Sequence, residues 1–244
     1  MNAGTTFQLT RRLHPPAWRK TDGLPQICKS MPLILTIPRT QAPALPESGC
    51  WPVSNLDFLQ AAVWQSRAKA EHDEAFLQPI PYLLLRNPAG QIWCYQRAGG
   101  DVRLDGRCSC GVGGHVDWQD AQPPMKDGNI DSCQRTPDKG YRPIFSKNPQ
   151  ATLQHALLRE VAEELGAGAA DLGQRRFHSL IYEGLSAVGR VHLGVLYTAQ
   201  WLPAQPPRPV AGEALRGLGF QDASAIANNP HFELWSRLAA QHML

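Results

Sequence analysis

Between Asn148-Pro149 and Gly166 the chain leaves room for only one kind of element. Asparagine is a favoured N-cap residue, proline fits the first helical position, and glycine stops a helix by turning left-handed. Inside these bounds Leu153, Leu157, Val161 and Leu165 recur every four residues and form one apolar stripe that must face a core. Glu160, Glu163 and Glu164 stand at i, i+3 and i+4 along the edge of that stripe, with no lysine among them. Like charges at this spacing cost a helix a few tenths of a kcal/mol per pair, roughly. A hard divalent cation turns the repulsion into coordination, because magnesium-like ions take oxygen ligands. Arg159, four residues before Glu163, can orient that carboxylate with its forked guanidinium.

The rest of the chain supplies what this helix packs on. Pro32 to Pro38, Ile80 to Arg86, Gln91 to Arg97, Arg107 to Val112, Arg176 to Tyr182 and Arg190 to Ala199 read as strands. Asn87-Pro88-Ala89-Gly90 supplies turn chemistry for a hairpin between the second and third. Phe58 to Trp64, after Ser54 and Asp57, reads as a helix, and Pro230 to Met243 as the last helix. Pro203 to Pro209 reads as a linker. This order predicts an α/β (α+β) fold, a mixed sheet between helices, with an N-terminal extension. Residues 1–30 are expected to be a disordered basic leader, and residues 31–244 a single domain in which 118–147 form a polar insertion loop.

Composition narrows the partners. The longest apolar run, Met31 to Leu35, is far too short to span a bilayer, so no membrane partner is expected and a cytoplasmic location follows. The net charge of +3 comes from residues 1–30, where five Arg and Lys against Asp22 leave +4 and the remaining chain −1. A basic tail on a neutral body is a poor footprint for nucleic acid, which is not expected as a partner. A homodimer is compatible with everything so far. Cysteines 28, 50, 94, 108, 110 and 133 read as reduced thiols, since Cys108 and Cys110 lack the spacer of a zinc knuckle.

A carboxylate-rich helix and the Gly113-Gly114 turn together imply metal-assisted attack of water on a phosphate. Here the sequence resembles the Nudix hydrolase superfamily, whose signature runs Gly, five residues, Glu, seven residues, then Arg-Glu-apolar-any-Glu-Glu-any-Gly-apolar. Arg159 through Ala167 carry its second half. Gly114 resembles the leading glycine, but Arg159 follows it by 45 positions rather than 14, so about 31 residues are inserted. Counted back from Arg159, the signature's first glycine and glutamate fall on Phe145 and Ala151, which leaves that glutamate without a counterpart. The chain is similar to a branch of predicted phosphoesterases with Gly-x-Gly-Gly-His ahead of a longer segment. Gln78 to Tyr82, Val188 to Gly194 and Phe232 to Ser236 carry that likeness along the chain from Met31 onward.

The resemblance implies Glu160, Glu163 and Glu164 as ligands of magnesium or manganese, with Glu163 or Glu164 as base, Arg159 in support and Gly113-Gly114 beside the cofactor. It further implies hydrolysis of a small-molecule diphosphate, a nucleoside diphosphate linked to another group. A different class of function is a catalytically inactive Nudix-like module that senses a ligand or binds a partner. The plain alternative is a solvated acidic face. His115 is either a phosphate contact or a local hydrogen-bonding residue, while His192 reads as paired inside the sheet. Trp93 and Tyr95 either stack a base or pack, and Glu183 is either an additional ligand or a solvent-facing loop residue.

Overall fold

The computed structural model describes residues 32–98, 106–121, 133–135, 141–143 and 148–244, with only the backbone of 133–135 and 141–143. The expected disorder of the leader, and most of the expected insertion loop, lie outside the described residues.

At the centre lies β4, Phe76–Arg86, whose residues are buried on both faces up to Arg86. It runs parallel to β11 (His192–Gln200) over its length, from the pair Gln78–His192 to the pair Arg86–Gln200. Beyond β11 come β10 (Arg176–Tyr182) and β2 (Gly49–Trp51), both antiparallel. On its other side β4 pairs first with β1 (Leu33–Pro38), at Phe76 and Leu77. It pairs again with β7 (Gly111–Val112), at Leu83 and Leu84. Outside β1 the order continues through β3 (Val63–Ser66) to β9 (Tyr141–Pro143) and β8 (Cys133–Arg135). A short ribbon of β6 (Cys108–Ser109), β5 (Ile92–Arg97) and β12 (Leu215–Gln221) completes the set.

Between Leu77 and Leu83 the β1/β7 side of β4 therefore has no strand partner. Two prolines, Pro79 and Pro81, fall in this stretch. Proline cannot donate to a ladder and is tolerated where none is needed. The result is a slit between the two partners of β4, and the chain after β7 runs along it, meeting Pro81 at Gly113 and reaching β1 where the Leu35 amide donates to the Val116 carbonyl oxygen. A Cβ on Gly113 would overlap the Pro81 carbonyl oxygen, so only glycine fits there.

Helices cover both faces. α1 (Arg67–Ala70) is a single turn, while α2 (Pro149–Leu165) lays Leu153, Leu157 and Val161, all fully buried, into a core with Leu83, Trp93 and Leu193. After the short α3 (Ala187–Val191), α4 (Ala223–Asn228) and α5 (Leu234–His242) bury Ile226 and Ala239, with Phe232 from the turn between them, against Leu84 and Leu196 on the opposite face. The expected α/β (α+β) arrangement, a mixed sheet between helices, is the one observed. Asn148 accepts from the Ala151 amide and Gly166 sits at φ 63°, so both expected ends of α2 hold.

Three local expectations are corrected. The helix read over Phe58 to Trp64 is a 3-10 turn, Asp57–Ala61, followed by strand β3. The sequence after the Pro203–Pro209 linker yields the unexpected β12 and α4. Residues 118–120, placed in the insertion, belong to the domain body: Trp118–Asp120 form a capped 3-10 turn whose Asp120 is fully buried. Among the described residues Cys50, Cys94, Cys108 and Cys110 are free thiols, as expected.

Candidate active site

Arg159 lies on the buried flank of α2 and spends all five of its N–H groups. Nε and Nη2 grip the two carboxylate oxygens of Asp120, each at 2.9 Å. Nη2 also donates to the His115 carbonyl oxygen at 2.9 Å. Nη1 divides between Glu160 at 2.8 Å and Glu163 at 3.0 Å. Burial opposes the guanidinium charge, but the Asp120 hydrogen bond and the surrounding carboxylates outweigh it and raise its pKa. Arg159 is thus a hub that ties the turn after β7 to the acidic edge of α2.

Asp120, which the sequence reading did not single out, is the buried acidic partner of Arg159. It lies six residues after Gly114, the interval between the leading glycine and the glutamate of the signature. The inserted residues fall after Asp120, so a count backward from Arg159 crosses them and misses it. A count forward from Gly114 finds it. Asp120 also caps its own turn, accepting the Asp117 amide at 2.9 Å.

The expected ligands converge in part. A Cβ on Gly114 would overlap the Glu160 carboxylate, so glycine and carboxylate meet directly across the slit. Glu163 faces outward, its side chain 37% exposed. Glu164 is different. Its Oε2 is buried with no hydrogen-bond partner, and burial followed by repulsion from Glu160 pushes its pKa up to about 8. Burial also raises the pKa of Glu160 and of Asp117, although Arg159 opposes both shifts. Among the described residues no three Asp, Glu, His or Cys side chains already form a ready metal cage.

The donor set nevertheless fits a hard cation. Glu160, Glu163 and Asp120 share a single fully engaged guanidinium, and a buried oxygen of Glu164 is left over, with Arg97 only partly offsetting its burial. An orphaned buried carboxylate is costly unless something positive meets it. Glu160, Glu163, Glu164 and the Gly114 carbonyl are all oxygen donors, the class that magnesium and manganese take.

The remaining candidates resolve as follows. His115 hydrogen-bonds locally, its Nε2 lying 2.9 Å from Gln78 Oε1 and 3.2 Å from His192 Nε2. His192 is paired within the sheet region, as expected. Trp93 and Tyr95 are core residues. Glu183 is not solvent-facing: it is buried and accepts from the Leu185 and Ser186 amides and the Ser186 hydroxyl. It closes the loop ahead of α3.

No family model matches the chain. Protein YmaB of Bacillus subtilis (strain 168) is 27% identical over 139 residues, which is 56% of this chain and 55% of that protein. The chain therefore matches just over half the length of this curated relative. The structure resembles the crystal structure of Tm1382, a candidate Nudix hydrolase, with TM-score 0.60 and 20% identity, over 86% of this chain and 96% of that one. A weaker likeness, TM-score 0.44 at 16% identity, extends to DR0079 from Deinococcus radiodurans, over 73% of this chain and 88% of that one. The fold is that of the Nudix hydrolases. No described helix is long and apolar enough to cross a membrane.

Proposed function

We propose that the chain is a metal-dependent hydrolase that cleaves the pyrophosphate bond of a small-molecule diphosphate, a nucleotide derivative, by attack of water. The observation that carries this reading is the unpartnered, buried Oε2 of Glu164 on the same turn as Glu160, whose carboxylate meets Gly114; the turn's own cation, Arg159, is saturated, and nearby Arg97 does not offset the burial. Glu160, Glu163, Glu164 and the Gly114 carbonyl would hold magnesium or manganese. When bound, that ion supplies Lewis acidity toward the diphosphate and a lowered pKa for water.

The protein's own groups have separable tasks. Arg159 touches no substrate in this reading; it fixes Glu160 and Glu163 from one side and Asp120 and His115 from the other. Glu164, whose Oε2 has no hydrogen-bond partner, and Glu163, held on one side by Arg159, are the candidate bases for the proton that water loses. The slit brings the backbone of Gly113 and Gly114 beside the carboxylates without an intervening side chain.

Release of phosphate or nucleotide across a diphosphate panel, with magnesium or manganese present, tests the proposal. Metal-dependent turnover that Glu164→Gln lowers by about 10² or more, with the thermal transition nearly unmoved, supports it. Tight binding of a panel member without any turnover would instead favour a ligand-sensing module. That second reading rests on the missing first glutamate of the signature and on the insertion; the bonds from Arg159 to Asp120 give the turn an acidic partner that weighs against it.

A further inference from the structure

The stretch from Pro203 to Pro209, read as a linker, also builds a wall. Residues 206 to 219 line a cavity of about 550 Å³, within the span of roughly 300–1,000 Å³ typical of small-molecule sites. Pro207, Pro209 and Leu215 give it apolar walls, and the exposed Arg208, Glu213 and Arg216 carry charge around them. A Cβ on Gly217 would lie 3.7 Å from Pro209 Cδ and 3.8 Å from Trp93 Cζ2. These are ordinary contact distances, so a side chain would fit there and fill space that glycine leaves open.

This cavity borders the acidic turn of α2. Val210, on its wall, donates its amide to the Glu164 carbonyl oxygen at 2.8 Å. Leu215 is the register partner of Arg97 across β12 and β5, and the Ala98 amide donates to the Ala214 carbonyl oxygen at 2.8 Å. After burial and Glu160, the groups that act on the Glu164 carboxylate are Arg97, which favours its charge, and Glu213, which opposes it. Arg97 therefore belongs to both places, its backbone to the cavity wall and its charge to the turn. It is also far from saturated. Among the described residues its guanidinium meets one acceptor, the Tyr95 hydroxyl oxygen at 3.3 Å, and that hydroxyl is fixed by its own bond to the Gly111 carbonyl oxygen at 2.8 Å. Arg97 Nε is buried with no partner. A partly buried guanidinium with uncommitted N–H groups suits the oxygens of an anion.

We infer that the cavity between residues 206–213 and β12 takes the nucleobase of a nucleoside diphosphate, with Arg97 holding a phosphoryl oxygen between the base and the acidic turn. The inference rests on the hydrolase reading and adds which end of the substrate lies where. A base fits these walls on three counts. Its faces are flat and apolar enough to lie on proline rings and Leu215. Arginine guanidinium groups stack on such a plane, and Arg208 and Arg216 stand beside it. Its edge carries both donors and acceptors, which charged groups of opposite sign, Glu213 and the two arginines, can meet. A sugar lacks the flat apolar face, and an acyl chain lacks the polar edge.

Calorimetry on the full chain in magnesium tests this with methylene-bridged analogues, which are not hydrolysed. Methylenediphosphonate reports the diphosphate alone, and the methylene-bridged diphosphates of adenosine, guanosine, cytidine and uridine report the base. At least one nucleoside analogue should bind about tenfold or more tightly than methylenediphosphonate. Gly217→Val, which fills the cavity, should abolish that gain while keeping the methylenediphosphonate affinity and the thermal transition of the wild type. Arg97→Gln should weaken both kinds of ligand by a similar factor, about tenfold, and Arg97→Lys should recover part of the loss. Equal binding of all the analogues, a nucleoside gain that survives Gly217→Val, or unchanged affinities in Arg97→Gln would overturn the inference and leave the hydrolase reading in place. Failure of every diphosphate to bind in magnesium would remove the hydrolase reading, and this inference with it.

Discussion

Asp120 carries more of the structure than its lone appearance in a polar stretch indicates. It is fully buried and is held by two guanidinium bonds, so replacing it with alanine leaves Nε and one Nη2 hydrogen of Arg159 without their carboxylate in the interior. Breaking one side of such a pair costs about 3–5 kcal/mol, and chemical denaturation of Asp120→Ala should show a loss of that size. Glu164 makes a prediction of opposite character. Its pKa in the fold, about 8, lies above the ordinary glutamate value, so the folded chain holds a proton there that the unfolded chain has released. Stability then falls as pH rises from the ordinary glutamate range to about 8, and levels off above. Thermal melts of the metal-free protein should show this decline, and Glu164→Gln should flatten it. A divalent cation at Glu164 should flatten it too, by favouring the charged form.

At the scale of elements, α2 and the chain after β7 are two parts of one construction. The two glycines of that chain differ in what they touch, and their alanine variants should differ accordingly. Gly113→Ala meets the backbone of Pro81, which cannot yield without moving β4, and should lower stability by about 1–3 kcal/mol in denaturant. Gly114→Ala meets the end of the Glu160 side chain and should fold nearly normally but lose turnover. How legible these elements were depended on whether local sequence or distant pairing decides them. Helix α2 could be read to the residue because Asn148, Pro149, Gly166 and a four-residue stripe all act within its own span. Trp64 could not, because a run of apolar residues suits a helix or a strand. Pairing with Leu35 of β1 and Tyr141 of β9 makes it a strand. Strand β12, Leu-Arg-Gly-Leu-Gly-Phe-Gln, has two glycines and little strand propensity, and it forms because β5 offers an edge. The proposed acidic ligands were legible as a charge anomaly on one turn. Asp120 was hidden by a count taken across the insertion, and the Gln78–His115–His192 cluster by distances in sequence that only the slit closes.

For the whole molecule, the slit in β4 organises both faces. It lets one strand partner with β1 at its start and β7 near its end, and it passes the glycine turn to α2 while His115 reaches the opposite direction. Between Ala121 and Asn148 the described residues are β8 and β9, which stand at the end of the sheet order beyond β3. Deleting Pro123 to Arg142 should therefore change which diphosphates are cleaved while the domain still folds, measured as the substrate profile and the thermal transition of the shortened chain. The central claim is that the acidic turn of α2 is built to hold a hard divalent cation. Crystals of the full chain soaked in manganese test it directly through the anomalous signal. The account predicts a peak within bonding distance of the carboxylates of Glu160 and Glu164 beside the Gly114 carbonyl, absent from Glu164→Gln crystals. A fully soaked crystal with no manganese at that turn would contradict it.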